Sequence, residues 1–288
     1  MNYCPCILHS SKIRPEGKDL YMTTITWDQY KDWVSQLAKN RTLYYCRGHA
    51  NEKWKLQTSF HRLLSLHSGI TLVDYLDVII PELHYHICAQ INEILNLSVP
   101  EEFGAFLALL QHHGFPTPLL DWTFSPFIAA YFAFREVNDS DPQSDNVKIF
   151  IFDYLKWSHR FQQPLNLRET MSYVSIIRPF AKYNPRLMPQ QGAFTVSNVE
   201  NMEEYILKRS EEVKESFLFT AFLSVKEKPH VMSELNMMGI NEMNLFPSIE
   251  GICRAMKARF FSPSEVGMTP SEWLSLLRTE SPGETQKI

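Results

Sequence analysis

Apolar positions along the chain fall first at helical spacing and later at strand spacing. Trp27, Tyr30, Val34 and Leu37 recur at three- and four-residue steps behind Thr26-Trp27-Asp28-Gln29, which has capping-box spacing, and predict a helix over 27–38. Leu76, Ile80, Leu83, Ile87, Ile91 and Ile94 mark one face of a longer helix over about 72–95, and Phe103, Phe106, Leu107 and Leu110 one over 102–112. The pattern then changes. TLYYC (42–46), VKIFIF (147–152), SYVSIIR (172–178) and SFLFTAFLSV (216–225) are short runs rich in β-branched and aromatic residues and read as strands, with a further strand starting near Gly192. Helices over 200–212, 231–238 and 247–257 and a helical patch around Trp273 complete the pattern. Helices first, then strands mixed with helices, predict an α+β fold with N-terminal helices packed on a small mixed sheet. No repeat or linker divides the chain, so the expectation is one compact domain over 21–262. An irregular lead-in precedes it at 1–20, and a helical patch with a polar tail follows at 263–288.

The densest chemistry lies in the 24 residues Gln111–Phe134, QHHGFPTPLLDWTFSPFIAAYFAF. Gly114, Pro116 and Pro118 stop the preceding helix and predict a stiff loop, because proline fixes φ and lacks a donor. Ser125-Pro126 supplies an N-cap followed by proline at the first helical position. The apolar run Phe127–Phe134 then predicts a core helix. Two readings of the polar Asp121-Trp122-Thr123-x-Ser125 cluster stand side by side. It is a ligand site at a helix N-terminus, where anions are favoured, or Asp121 caps the helix and Trp122 fills a gap.

Composition narrows the class. A 44% hydrophobic, 13% aromatic chain of 288 residues is that of a globular protein. No apolar run approaches the ~18 residues of a membrane span, and the N-terminus lacks a secretory pattern, so a cytoplasmic protein without a membrane role is expected. The five scattered cysteines are read as reduced thiols. A net charge of −4 argues against nonspecific coating of nucleic acid. Between Lys148 and Arg186, however, seven Lys/Arg face only Asp153 and Glu169. That segment is a solvated face or a partner for a phosphate-bearing ligand.

Four blocks carry a family resemblance: CRGHANEKWKLQTSFHR (46–62), FLALLQHHGFPTPLLDWTFSPFIAAYFAF (106–134), NPRLMPQQGAFT (184–195) and LFPSIEGICRAMK (245–257). The chain resembles the FRG domain family, named for a Phe/Tyr-Arg-Gly signature, with QHHGFPTPLLDWT as the most specific match. Cys46 stands where the signature has its aromatic, Thr58-Ser59 where Pro-Ser is usual, and Pro118 where arginine is common. The resemblance implies a fold unit and a set of positions rather than a reaction.

Among those positions, Arg47 beside Gly48 can grip phosphate or carboxylate bidentately, and the plainer reading is a buried Arg47–Asp121 ion pair joining the two motif loops. His112 and His113 end a helix, where a structural role suits the dipole, and the family resemblance, which places a polar pair beside the LLDW run, also implies a general acid–base role for His112 or His113. Gln190-Gln191-Gly192 before a strand can present amides to a ligand. No metal-ligand spacing, nucleophile elbow or phosphate loop is present.

Two functional expectations follow. The chain is similar in plan to ADP-ribosyltransferases, with Arg47-Gly48 at a strand end, Asp121-Trp122-Thr123-x-Ser125 leading into a helix with Ala129-Ala130, and Gln190-Gln191 before a late strand. That resemblance implies NAD as cofactor, Arg47 on its phosphates, Trp122 or Tyr45 stacked on nicotinamide, and Gln191 or Glu204 orienting the ribose. It departs from the plan in having no glutamate at the usual catalytic place. A toxin or antiphage effector acting on a protein or nucleic-acid target is compatible with this reading. The second expectation is a non-catalytic module that binds a nucleotide, nucleic acid or protein through the same pocket.

Overall fold

The computed structural model describes residues 24–39, 42–66, 69–137, 144–178, 184–261 and 269–279. The lead-in at 1–20, Cys4 and Cys6, the acidic residues 138–143 and the polar tail at 280–288 lie outside them. Six strands form one sheet in the order β4-β5-β2-β1-β3-β6, with β1 Tyr45–His49, β2 Leu119–Thr123, β3 Asn146–Phe152, β4 Val174–Ile177, β5 Gly192–Ser197 and β6 Leu218–Ser224. Each described ladder is antiparallel, so the sheet is not the mixed one expected. The α+β class holds.

Side-chain alternation gives the sheet two apolar faces, each covered by helices. On one face Tyr45, Leu120, Trp122, Phe150, Phe152 and Val174 pack against α7 (Tyr154–Arg160) and α8 (Met202–Val213), through Trp157, Met202 and Ile206. The other face is shared by two cores. Over β1, β3 and β6, Cys46, Ile149, Ile151 and Leu223 meet α1 (Trp27–Lys39), α6 (Pro126–Arg135) and α9 (Lys228–Met237). Over β2, β4 and β5, Leu119, Phe194 and Val196 meet Phe106, Leu107 and Leu110 of α5 (Pro100–His112) and Phe60 of α2 (Ser59–Leu66).

The predicted long helix is real but composite. Leu72–Asp74 (α3) opens under a Thr71–Asp74 capping box, Tyr75–Ile79 winds as a π turn, and α4 (Ile80–Ile91) ends at Asn92 in the left-handed region. α6 begins as its sequence dictates, with Ser125 Oγ accepting from the Ile128 N–H and Pro126 at the first turn. Short α10 (Glu242–Leu245), then α11 (Ile249–Phe261) and α12 (Pro270–Thr279), follow. No helix of the described residues is long and apolar enough to cross a membrane.

Two local results differ from the sequence expectation. Residues 119–123, expected in a loop, form a central strand paired over its whole length with β5. β1 starts three residues later than predicted and contains Arg47, Gly48 and His49, paired with Phe150, Ile149 and Lys148.

Candidate functional site

The site arises where the sheet opens. β1 and β2 pair at the single position Cys46↔Thr123, while the rest of β1 pairs with β3 and the rest of β2 with β5. Beyond that rung the strands diverge, and backbone groups facing the gap need other partners. Arg47 supplies one: its Nη1 donates to the Asp121 backbone carbonyl at 2.7 Å, across the gap. Gly48 holds the other side of the seam, because α6 crosses β1 so closely that a Cβ there would lie 2.0 Å from the Ala129 carbonyl oxygen.

Arg47 is aimed by His49. Its Nε–H donates to His49 Nε2 at 3.0 Å, which leaves the imidazole proton on Nδ1, facing the Trp54 carbonyl at 3.3 Å. His49 is buried, and burial together with the Arg47 charge pushes its pKa down to about 2, so the ring is neutral and can accept that bond. Nη2 of Arg47 has no protein acceptor among the described residues, and Arg47 lines the cleft.

The expected Arg47–Asp121 ion pair does not form. Arg47 holds the carbonyl of Asp121, while the carboxylate is held by Gln111, whose Nε2 donates to Oδ2 at 2.5 Å. Gln111 is oriented in turn by Thr117, whose hydroxyl donates to its Oε1. Asp121 opens into the cleft rather than onto the outer surface. Solvation at the floor of a concavity is poor, which raises its pKa, and the nearby Arg47 charge and the Gln111 bond pull it partly back. The same burial lowers the pKa of Arg47. The cleft thus holds a donor on one lip and a carboxylate on the other without neutralising them against each other.

The cleft has a volume of about 800 Å³, within the range of small-molecule sites. Besides β1 and β2, its walls come from the loop Lys53-Trp54-Lys55-Gln57, Arg62 of α2, Phe132 of α6, Glu136 after it, and Gln190. A smaller chamber of about 130 Å³ shares Arg47, Gln57, Arg62 and Asp121 with it and adds Ser59, Gln111, Gly114 and Phe115.

The sequence-predicted residues divide into two groups. Arg47, Gly48, Asp121, Trp122, Thr123 and Gln190 converge on the cleft. Trp122 contributes wall only: its indole is buried beside Tyr45 and Phe152 and donates to Thr195 Oγ1 at 3.0 Å. Thr123 is tied to the Gln190 carbonyl at 2.8 Å, and the Gln190 amide to the Leu245 carbonyl at 3.1 Å. Tyr45, Ser125, Gln191 and His113 line neither chamber. Tyr45 is fully buried and stacks on Tyr154 with ring centroids 4.0 Å apart, so it cannot face a ligand. Ser125 caps α6. Gln191 sits at φ 48° on an exposed turn where its carbonyl accepts from Phe124, and His113 is exposed beyond the end of α5. Glu204 likewise lies outside both chambers, on α8.

Sequence reasoning missed Lys53, Trp54, Lys55, Gln57, Arg62, Phe132 and Glu136. The interleaved Lys-Trp-Lys beside Arg47-Gly48-His49 was a usable signal, since cations next to an exposed aromatic suit a phosphate-bearing ring compound. Glu136 had none: only the turn after α6 brings it to the rim.

Neither the curated proteins nor the solved structures include a match to this chain. The family model described as FRG domain matches residues 42–142, a span that holds β1, α2, α5, β2 and α6 and so every cleft residue named above except Gln190. The chain therefore carries an FRG domain, and the cleft is built almost entirely from it.

Proposed function

We propose that the cleft binds a nucleotide carrying more than one phosphate and that the protein is an NAD-consuming enzyme of the ADP-ribosyltransferase type. The observation that carries this reading is the convergence on one opened seam of Arg47-Gly48, Asp121-Trp122-Thr123 and Gln190. Arg47, Arg62, Lys53 and Lys55 supply the cations for a pyrophosphate. Asp121, whose Oδ2 alone is engaged by Gln111, supplies an acceptor for ribose hydroxyls. In such a transfer the ribose C1′–N bond breaks, its electron pair leaves with nicotinamide, and C1′ bonds to an acceptor X–H on a protein or nucleic-acid target. The X–H proton passes to a carboxylate of the cleft, Asp121 or Glu136, and then to water.

The test is incubation of the protein with NAD and candidate targets, following nicotinamide release and target modification. Arg47→Ala is expected to lower nicotinamide release by at least ~100-fold, since a positioned transition-state contact of this kind is worth about 3 kcal/mol. Wild-type protein that releases no nicotinamide and modifies nothing excludes the enzyme reading.

One observation favours a second reading. The Gln190 amide, at the place where the enzyme plan has its late polar residue, is already satisfied by the Leu245 carbonyl. A non-catalytic nucleotide-binding module needs no free group there. NAD that raises the melting temperature without being consumed would support it.

A further inference from the structure

The two chambers share Arg47, Gln57, Arg62 and Asp121 as a neck, with unlike walls on either side. On the large side Trp54 is the exposed aromatic, 45% accessible, between Lys53 and Lys55. Its backbone is fixed by its N–H on the Asn51 carbonyl at 3.1 Å and by its own carbonyl facing His49. A ring presented this way, with cations alongside, is a stacking platform for a base. The small side, about 130 Å³ and walled by Phe115 and Gly114, has room for one six-membered ring.

We propose that the cleft reads a dinucleotide in one direction. Its purine stacks on Trp54, its pyrophosphate and ribose lie at the Arg47–Arg62–Asp121 neck, and its second, single-ring base enters the Phe115 chamber. This rests on the nucleotide reading above and adds which end goes where. A base on the Trp54 side keeps the purine in the large cleft, and the ring in the small chamber becomes the leaving group. Asp121, at the mouth of that chamber, then lies beside the sugar to which the leaving ring is attached.

The experiment is calorimetric binding of NAD, ADP-ribose and nicotinamide mononucleotide to the wild type, Trp54→Ala and Phe115→Trp, with thermal melting to confirm folding. Trp54→Ala is expected to weaken NAD and ADP-ribose roughly tenfold or more and leave nicotinamide mononucleotide unchanged. Phe115→Trp, which fills the small chamber, is expected to weaken NAD and nicotinamide mononucleotide and spare ADP-ribose. Should Phe115→Trp fail to fold, competition on the wild type decides: AMP and nicotinamide should bind together, each leaving the other in place. NAD binding that both variants weaken for all three ligands, that neither weakens, or in which AMP displaces nicotinamide overturns the arrangement while leaving the nucleotide reading intact. If none of the three ligands binds the wild type, the nucleotide reading itself falls and this inference with it.

Discussion

Arg47 and His49 show how one side chain is aimed by another two residues away on the same strand face. The guanidinium is stretched between the His49 ring and the Asp121 carbonyl, so its remaining donors point one way. This works only while His49 is neutral, because a protonated ring has no acceptor to offer. The linkage has a definite sign. His49 titrates at about 2 when folded and near the ordinary value of ~6.5 when unfolded, so below pH 6.5 the unfolded chain takes up a proton that the folded chain refuses. The stability associated with it is present above pH 6.5 and is lost as the pH falls through the window from 6.5 toward 2. His61, buried beside Thr58 and depressed to about 4, acts in the same direction. Replacing His49 by Gln keeps an acceptor for Arg47 but removes the titration. Urea unfolding at pH 7.5 and pH 5.0 should show His49→Gln losing about 2 kcal/mol less than the wild type over that interval. Equal losses in the two proteins would mean that His49 takes up a proton as readily when folded as when unfolded, and the aiming role would go with it.

At the scale of elements, α6 is the part most constrained by the site. It lies on β1 at the distance set by Gly48, Ala129 and Ala133 and carries Phe132 and Glu136 to the rim. Gly48→Ala should therefore destabilise the protein by about 3 kcal/mol in urea unfolding, as overpacking against backbone does. Because the nearest atom is the Ala129 carbonyl oxygen, adding Ala133→Gly should not rescue it; full rescue would show that the helix, not the glycine, sets the spacing. The start of α6 was legible because Ser125-Pro126 is a local signal. β2 was not. Pro116, Pro118 and an acidic residue at 121 all read as loop, and residues 119–123 become a strand only because β5 offers partners from Gly192 to Val196. β1 is expected three residues too early for the same reason: Arg47-Gly48-His49 resembles a strand end, and its pairing with β3 is invisible in its own residues. The block at 245–257 became intelligible only in three dimensions. Phe246 lies 4.6 to 5.4 Å from the guanidinium groups of Arg135, Arg186 and Arg254, and Gly251 lets α11 approach the Phe246 carbonyl, where a Cβ would come to 2.0 Å. Those residues fasten α11 to α6 through Glu242, which Arg135, Arg254 and Tyr131 share.

Over the whole molecule, the charge counted along the chain does not mark the cleft. The cations between Lys148 and Arg186 disperse, with Lys148 near Glu203, Lys156 near Asp153, Arg168 on Asp77 and Arg178 at Tyr154, and none of the described ones lines the cleft. The cleft draws its positive charge from Arg47, Lys53, Lys55 and Arg62, a short stretch that folds back on itself and contains only Glu52 in opposition. A molecule of net charge −4 thus presents a local positive field that reaches no further than salt allows, ~10 Å at 0.1 M and ~3 Å at 1 M. Lys53 and Lys55 are exposed and act through that field, whereas Arg47 acts through bonds fixed in direction by His49 and the Asp121 carbonyl. Binding of inorganic pyrophosphate, measured by calorimetry from 0.05 to 0.5 M NaCl, separates the two contributions. The wild type should weaken roughly tenfold across that range. Lys53→Ala/Lys55→Ala should start weaker and meet the wild-type curve at high salt, because screening removes what the substitutions removed. Arg47→Lys should stay below the wild type at every salt concentration, since an ammonium keeps the charge but cannot reproduce the fork. A lysine-pair curve that runs parallel to the wild type would place those side chains in direct contact with the anion, and the division between a steering rim and a gripping floor would then be wrong.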